Sequence, residues 1–248
     1  MPSILTLKQQ IVDIGRRMYQ RGMVAANDGN ISARVDESRI LITPTGISKG
    51  FMQPSDLVTI DFDGRVLEKG KTPTSELDLH LAVYRERPEI NSVCHAHPPY
   101  GTAHAVVGIP LDTCFLSEMI TALGSVPVVP YATPGTVELP AALRPFIRKY
   151  DAFLLQNHGV LTLGKDLTDS YHKMETLEHT AHINFISRLL GTPNILEDEQ
   201  VEALLKQREK FGVQSKAVCK TSNPQKNIND LNSDEIEEII RQIIKSLS

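Results

Sequence analysis

Several features are absent or scarce in this sequence of 248 residues, and each absence excludes a class of protein. Basic residues show no excess, because 26 lysines and arginines stand against 30 aspartates and glutamates, which gives a formal net charge of −4. No basic block stands out along the chain either, so nucleic acid is not predicted as a partner. A local positive charge could still bind a small anion.

Long apolar runs are missing as well. No stretch approaches the ~20 apolar residues that a membrane-spanning helix needs. Residues 1–22 lack the basic start and continuous apolar segment of a signal peptide. The sequence therefore predicts a soluble, cytoplasmic protein with no membrane partner.

Cysteine is also scarce. Cys94, Cys114 and Cys219 are odd in number and far apart, which favours reduced thiols over a disulfide framework. Cys94 directly precedes a histidine and could be a metal ligand. On a strand, however, it would point away from the side that a metal site would use, so core packing is the favoured interpretation.

What is present indicates an α/β protein. Hydrophobic residues make up 41% of the chain, enough to bury a substantial core. Strand and helix patterns interleave without a fixed-period repeat and without a glycine-rich dinucleotide motif. The composition changes near residue 214, which predicts a domain at 1–213, a polar linker at 214–232 and an amphipathic helix at 233–248.

Two histidines mark a predicted metal site. Residues 91–94 read as a short strand that runs into His95 and His97. Residues two apart in a strand point to the same side, so these imidazoles can converge on one ion while Ala96 faces away.

Glu76 lies about twenty residues before this pair. Residues 77–87 predict a helix that Thr74 or Ser75 could cap. Two imidazoles and a carboxylate suit zinc or a similar divalent ion.

His158 is a candidate third imidazole. The apolar run 152–156 predicts a buried strand that delivers it, although a single histidine after a strand is more often structural. A long helix predicted at 166–190 carries three more histidines that no acid accompanies at metal-site spacing. These are interpreted as surface or packing residues: His172, His179 and His182.

Two small polar loops could bind an anion. Residues 27–30 precede a predicted strand at 31–35, and residues 44–46 follow one at 39–43. Loops of glycine, asparagine and threonine expose backbone N–H groups and hydroxyls, which are donors for phosphate. Each loop taken alone is more often an ordinary turn.

The tail carries an aliphatic stripe at helical spacing, formed by Ile236, Ile239, Ile240, Ile243, Ile244 and Leu247. A helix of roughly fifteen residues is marginal alone in water, so this stripe needs a surface to bury against. That surface could be its own domain, a neighbouring subunit or another protein. The polar linker favours another protein, and the acidic face argues against anionic lipid.

Taken together, these motifs resemble the class II aldolase/adducin family, and within it the L-fuculose-1-phosphate aldolase group, over about residues 5–212. The resemblance implies a three-layer α/β/α fold around a central mixed, largely antiparallel sheet. It also implies a homotetramer with active sites at subunit boundaries. The motifs that carry it, in chain order, are Gly29-Asn30, Thr43-Pro44-Thr45-Gly46, Thr74-Ser75, Glu76, His95, His97 and His158.

By matching position, the resemblance implies a role for each residue. His95, His97 and His158 would bind zinc, and Glu76 would be the catalytic carboxylate that moves the C3 proton of the substrate. The implied reaction cleaves a deoxyketose 1-phosphate, such as L-fuculose 1-phosphate, to dihydroxyacetone phosphate and an aldehyde such as lactaldehyde. The phosphate would be held by Gly29, Asn30, Thr45, Gly46, Thr74 and Ser75.

The aldehyde side departs from the fuculose group. Two tyrosines of that group align near Leu116 and at Phe211 here, and a phenyl ring cannot donate a proton. Glu118, Tyr131 or Tyr100 could take over. Pentulose-phosphate 4-epimerases, thiomethyl ketose phosphate dehydratases and non-catalytic adducin-type domains of the same family remain alternatives.

The tail is similar to the encapsulation peptides that direct enzymes into bacterial microcompartments. This resemblance implies a microcompartment shell protein as a partner for residues 233–248.

Overall fold

A computed structural model describes residues 2–210, 217–221 and 241 of the chain. Phe211 and the predicted tail helix at 233–248, apart from Arg241, lie outside the described residues. Among the residues described, no helix combines the length and apolar character needed to cross a membrane.

A seven-stranded sheet forms the centre of the fold. Its strands, in chain order, are β1 (Asn30–Arg34), β2 (Arg39–Ile42), β3 (Val58–Asp61), β4 (Ser92–Ala96), β5 (Val128–Val129), β6 (Ala152–Leu155) and β7 (Gly159–Gly164). They lie side by side in the order β3-β2-β1-β4-β7-β6-β5. These neighbours pair antiparallel except β5 with β6, which confirms the expected mixed, largely antiparallel sheet.

Seven described helices cover the two faces of the sheet. They are α1 (Ile4–Gln20), α2 (Leu77–Glu86), α3 (Pro99–Val107), α4 (Ser117–Ala122), α5 (Glu138–Ile147), α6 (Leu167–Leu190) and α7 (Asp198–Lys210). One apolar cluster packs α2 and α5 against the sheet, and the other packs α1, α3, α4, α6 and α7 against the opposite face. The α/β/α three-layer arrangement is therefore confirmed.

The alternation along β4 shows how the sequence produces these layers. Val93 is buried in the cluster with α2 and α5, whereas Cys94 and Ala96 are buried in the cluster on the other face. This is the period-two alternation of a strand that is covered on both sides. It leaves His95 on the side of Val93, the side from which α2 supplies Glu76.

The sequence patterns missed some local structure. Helices α4 and α7 were not predicted, and residues 124–131 contribute only the two-residue strand β5. Pro127 and Pro130 flank that strand, and proline has no N–H for a ladder hydrogen bond. After β3 the chain turns back on itself, and a single bridge joins Ile60 to Val66.

The expectation of three reduced thiols was wrong. Cys114 and Cys219 form a disulfide between positions 105 residues apart, with their Cα atoms 5.2 Å from each other. Sequence spacing could not reveal this, because residues 217–221 return to run beside 112–114. There the Lys220 N–H donates to the Asp112 carbonyl (2.6 Å) and the Cys114 N–H donates to the Lys220 carbonyl (2.9 Å).

The interpretation of Cys94 as a core residue is confirmed. It is a free, fully buried thiol whose Sγ contacts the Met18 Sδ at 3.6 Å. Burial raises the pKa of this thiol to about 12, so it stays protonated and is unsuited to metal binding where it lies.

A buried ion cluster joins the end of α2, the start of β6 and helix α6. Asp151, 1% exposed, accepts from Arg87 Nη1 (2.6 Å) and Lys173 Nζ (3.1 Å). Replacing Asp151 with asparagine should lower the free energy of unfolding by about 3 kcal/mol, because two buried cations lose their shared anion. Urea denaturation measures this loss.

The matched control is Asp63→Asn, whose side chain is 68% exposed and should change stability little. Metal content should stay normal in both variants, because Asp151 lies at the opposite end of β6 from His158. An Asp151→Asn protein as stable as the unmodified chain would contradict the structural role assigned to this cluster.

Candidate functional site

Three histidines converge at one end of the sheet. Strand β4 carries His95, His97 follows it, and the turn between β6 and β7 carries His158. Their ligand-type nitrogens all lie within 4.8 Å of one another, and the Nε2 atoms of His95 and His97 are 3.2 Å apart. The spatial convergence expected from the sequence is thus present in the structure.

The backbone around His158 is specialised to bring its ring to this point. Asn157 has a φ of 55°, a left-handed conformation that asparagine tolerates better than most residues. Gly159 leaves room for the rings, since a Cβ there would lie 2.5 Å from the His97 Cδ2 and 2.6 Å from the Ala96 carbonyl. No larger residue fits that position without moving the site.

Hydrogen bonding fixes which nitrogens face the centre. His95 Nδ1 lies 2.9 Å from the Val160 carbonyl oxygen, and because a carbonyl only accepts, Nδ1 carries a proton and Nε2 is the nitrogen that can offer a lone pair to an ion. His97 Nδ1 lies 3.4 Å from Asp28 Oδ2, which favours the same tautomer. Outer partners of this kind orient histidines that bind metals.

Glu76 completes the cluster. It is the residue immediately before α2, and its carboxylate reaches away from the helix, with Oε2 3.2 Å from His95 Nε2 and Oε1 3.3 Å from His158 Nε2. Burial alone would raise the pKa of Glu76, but the facing imidazoles and the Asn30 amide more than offset this. Its pKa therefore lies well below the ordinary value, and the carboxyl group stays ionised at neutral pH.

These residues fit a divalent cation. The Nε2 atoms of His95 and His97 lie 3.2 Å apart with the Glu76 carboxylate beside them, so a positive charge is needed at their centre. Burial lowers the pKa of His158 to about 3, so this imidazole is neutral. Burial alone would also lower the pKa of His95, but the Glu76 carboxylate and the Val160 carbonyl raise it above the ordinary value, so without an ion a proton on His95 is favoured. A cation bound by the three imidazoles would satisfy them, and this donor set suits zinc and similar ions.

The two polar loops lie beside the cluster, in one cavity of about 400 Å³. The threonine loop is tied to the segment before α2, because the Thr74 N–H donates to the Thr43 carbonyl (3.1 Å) and the Thr45 N–H donates to the Thr72 carbonyl (3.2 Å). The cavity is lined by all six residues expected to hold phosphate, together with Glu76, His97 and His158: Gly29, Asn30, Thr45, Gly46, Thr74 and Ser75.

Gly29 has a specific steric reason to be glycine. Its φ is +72°, in the left-handed region, and a Cβ there would lie 2.8 Å from the His95 carbonyl oxygen and 2.7 Å from a Val24 methyl group. Glycine therefore lets the loop lie against the end of β4, which brings the loop donors next to the histidines.

A buried hydrogen-bonded chain leads to Glu76. His80 on α2 is fully buried, and burial lowers its pKa to about 3, so it is a neutral imidazole with one N–H. Tyr84 and Ser32 hydroxyls are 2.7 Å apart, and the Ser32 hydroxyl is 2.7 Å from His80 Nδ1. His80 Nε2 contacts Asn30 Oδ1, and Asn30 Nδ2 donates to Glu76 Oε2 (2.8 Å).

The directions of these hydrogen bonds follow from the two bonds of the Asn30 amide, one with His80 and one with Glu76. An amide oxygen only accepts, so His80 Nε2 carries the proton and Nδ1 accepts from Ser32, which in turn accepts from Tyr84. Every donor therefore points towards Glu76 Oε2. The other oxygen, Oε1, is buried and has no hydrogen-bond partner among the described residues.

Other candidates from the sequence lie elsewhere. The lining of this cavity, as far as the structure describes it, includes none of Leu116, Glu118, Tyr131 and Tyr100. Tyr131 is 57% exposed, and Tyr100 stacks on His182 at a ring distance of 3.8 Å. The histidines of α6 are not part of the metal cluster, which agrees with their reading as surface or packing residues.

Three residues at the site were not singled out from the sequence. His80 follows Glu76 by four residues, a helical spacing that places both on one face and could have indicated a partnership. Asp28 lies in the polar loop at 27–30, and it was not singled out because an aspartate is common in a turn. Lys49 has no motif around it, and only the fold brings it into the cavity lining.

Comparison with known proteins gives a consistent result. Residues 9–185 match the family described as Class II Aldolase and Adducin N-terminal domain. The chain is 38% identical over 177 residues to an L-fuculose phosphate aldolase of Methanococcus maripaludis, covering 71% of this chain and 95% of that protein.

Two further relatives carry different names. A 3-oxo-tetronate 4-phosphate decarboxylase of Haemophilus influenzae is 36% identical over 186 residues, which cover 73% of this chain and 88% of that protein. A 5-deoxy-D-ribulose 1-phosphate aldolase of Bacillus thuringiensis serovar kurstaki is 32% identical over 209 residues, covering 84% and 97%.

The fold also matches a solved structure, described as L-fuculose 1-phosphate aldolase. The TM-score is 0.75 and the sequence identity 32%, and the match covers 84% of this chain and 96% of the other.

Proposed function

The chain belongs to the class II aldolase and adducin family, and we propose that it is a metal-dependent lyase that cleaves a deoxyketose 1-phosphate such as L-fuculose 1-phosphate. The products are dihydroxyacetone phosphate and an aldehyde such as lactaldehyde. One observation carries this proposal. In one cavity, uncharged hydrogen-bond donors that suit an anion lie beside three histidines and a carboxylate.

His95, His97 and His158 would hold the metal, which we propose to be zinc. When bound, the ion supplies Lewis-acid stabilisation of the negative charge that develops on the substrate as the C3–C4 bond breaks. Three neutral imidazoles leave the charge of the ion uncompensated. Asp28 and the Val160 carbonyl keep two of the rings turned towards it.

Glu76 would move the C3 proton. Asn30 holds its Oε2, whereas its Oε1 has no hydrogen-bond partner among the described residues and is therefore the oxygen with a free lone pair. In the condensing direction this oxygen takes a C3 proton from dihydroxyacetone phosphate. In the cleaving direction it returns one.

The phosphate group would bind at the other end of the cavity. The residues before α2 and the two polar loops supply hydroxyls and N–H groups there, and the proposed donors are Gly29, Asn30, Thr45, Gly46, Thr74 and Ser75. This grip would fix the distance from the phosphate to the reacting carbon.

A second candidate function is decarboxylation of a 3-oxo-tetronate 4-phosphate, favoured by the relative of that name. Loss of carbon dioxide beside a carbonyl also leaves negative charge that a metal ion can stabilise, so the same residues suit both reactions. The cavity therefore supports a reaction class more strongly than a substrate.

A substrate panel tests the proposal. Metal-loaded protein is given L-fuculose 1-phosphate, 5-deoxy-D-ribulose 1-phosphate and 3-oxo-tetronate 4-phosphate, and dihydroxyacetone phosphate, aldehyde and carbon dioxide are measured. We expect equal amounts of dihydroxyacetone phosphate and aldehyde from a ketose 1-phosphate. Release of carbon dioxide alone would favour the decarboxylase, and no product from any substrate would refute a lyase of this kind. Conversion of a ketose phosphate to its epimer without cleavage, seen by chromatography of the remaining sugar phosphate, would indicate an epimerase.

The buried chain gives a prediction about His80. His80→Leu removes the donor to Asn30 and should lower kcat about 10-fold and raise KM, because Asn30 serves both Glu76 and the phosphate. His80→Gln, which can still donate, should recover part of the loss, and Tyr84→Phe at the far end should have a smaller effect. Unchanged kcat and KM in folded His80→Leu protein would contradict this role.

We further propose a homotetramer and a separate function for the tail, as an encapsulation peptide at 233–248 that binds a microcompartment shell protein. Residues 217–221, inside the proposed linker at 214–232, pair with 112–114 and include Cys219 of the disulfide. The informative truncation therefore ends the chain after residue 221. It should leave turnover and assembly intact and abolish recruitment to shell protein, whereas loss of the tetramer would indicate subunit docking instead.

A further inference from the structure

A lysine ammonium is buried beneath the anion end of the cavity. Lys49 lines this cavity, yet only 2% of the residue is exposed. Its Nζ donates to the Asn27 carbonyl and to the Ile47 carbonyl, both at 2.8 Å. A charge this deeply buried is costly, so its position calls for a reason.

The two acceptors belong to the two loops that carry proposed phosphate donors. Asn27 begins the loop with Gly29 and Asn30, and Ile47 follows Thr45 and Gly46. The ammonium therefore holds the two loops together. A lysine ammonium has three N–H donors, so one N–H has no acceptor among the described residues.

The charges of the residues that line the cavity indicate what the third N–H could bind. Asp28 and Glu76 are acidic, His158 is neutral, and the six proposed phosphate donors are uncharged. Among the described residues that line the cavity, Lys49 is the one with an ammonium or guanidinium group. A phosphate dianion entering beside two carboxylates would need this positive charge.

We propose that Lys49 is a further substrate-binding residue, whose free N–H and positive charge bind the phosphate of the substrate while its other two N–H groups hold the loops in register. This inference rests on the proposed function, since it assigns the phosphate end of the same cavity. It predicts that the site discriminates a phosphorylated ligand from its unphosphorylated counterpart mainly through one buried ammonium.

Burial and neighbouring charge have a consequence for pH. Burial lowers the pKa of Lys49 to about 8, and Asp28, the charged group acting on it, opposes this shift. From α1, Gly15 lies against Lys49 without a side chain, and Met52, which packs beside them, is uncharged. A bound phosphate dianion would favour the ammonium, so affinity should fall as the pH rises through about 8.

Calorimetry on metal-loaded protein tests the proposal, with dihydroxyacetone phosphate, inorganic phosphate and unphosphorylated dihydroxyacetone as probes. Lys49→Met should weaken binding of both phosphate-bearing probes by about 10- to 100-fold, as for loss of a hydrogen bond to a charged group. Affinity for dihydroxyacetone should stay within about two-fold. Lys206→Met, whose side chain is 73% exposed on α7, is the matched control and should bind all three as the unmodified protein does.

Lys49→Arg provides the readout that a loop-holding role alone would not move. A guanidinium stays charged up to about pH 12, so this variant should retain phosphate binding without the decline through about pH 8 that is expected for the lysine. Unchanged binding of the phosphate-bearing probes by Lys49→Met would overturn the proposal, as would an equal loss for all three probes. Failure of the proposed function is distinguishable, because it would leave Lys49-dependent phosphate binding intact in a protein that cleaves no ketose phosphate.

Discussion

Replacing Glu76 with glutamine is expected to lower kcat by about 10²- to 10⁴-fold, the usual contribution of a positioned acid–base group. Glutamine has the shape of glutamate and can keep the hydrogen bond from the Asn30 amide through its own carbonyl oxygen. It cannot accept a C3 proton, because an amide is not a base near neutral pH. Steady-state kinetics on metal-loaded protein measure the loss.

Metal content should stay at the unmodified level in this variant, since the three imidazoles at His95, His97 and His158 remain. The matched control is Glu86→Gln, at the other end of α2 and paired with Arg148, and this variant should turn over normally. If Glu76→Gln kept most of its activity, Glu76 would not be the group that moves the proton.

The second large effect concerns the ion. His95→Ala should abolish measurable turnover and stoichiometric metal binding, because His95 is fully buried and its ring lies 5.0 Å from that of His97 and 4.7 Å from that of His158. Elemental analysis after dialysis against a weak chelator measures the metal. Thermal unfolding gives an independent readout, since a ligand that binds the native state raises Tm as its concentration increases.

Zinc should therefore raise the Tm of the unmodified protein and leave that of His95→Ala almost unchanged. His179→Ala, an exposed histidine of α6, serves as the control and should keep both metal and activity. A His95→Ala protein that still holds one ion per chain would place the metal centre elsewhere.

Parts of the site were predictable because one local rule determined them. The period of a strand places His95 and His97 on the same side, and a strand that ends before His158 can deliver it to the same edge. Glu76 was predictable as an acid at the start of a helix. The distances of 3.2 and 3.3 Å from its carboxylate to two imidazoles depend on how α2 packs against β4, which no local pattern reports.

Other parts depend on long-range contacts without a sequence signal. The pairing of Cys114 with Cys219 requires the chain to return across 105 residues. Lys49 enters the cavity because two loops fold over its ammonium, and its sequence neighbours indicate only a turn. Apolar periodicity is a local pattern, by contrast, and the helix predicted at 166–190 agrees with α6 to within one residue at each end.

The most direct test of the account is proton exchange on dihydroxyacetone phosphate, which requires no knowledge of the aldehyde. Metal-loaded protein in deuterium oxide should exchange one C3 proton of this compound, seen by proton NMR, and the exchange should be lost on metal removal and in Glu76→Gln. No exchange by the metal-loaded protein, or exchange at the same rate in Glu76→Gln, would contradict the claim that the bound ion and Glu76 together move that proton.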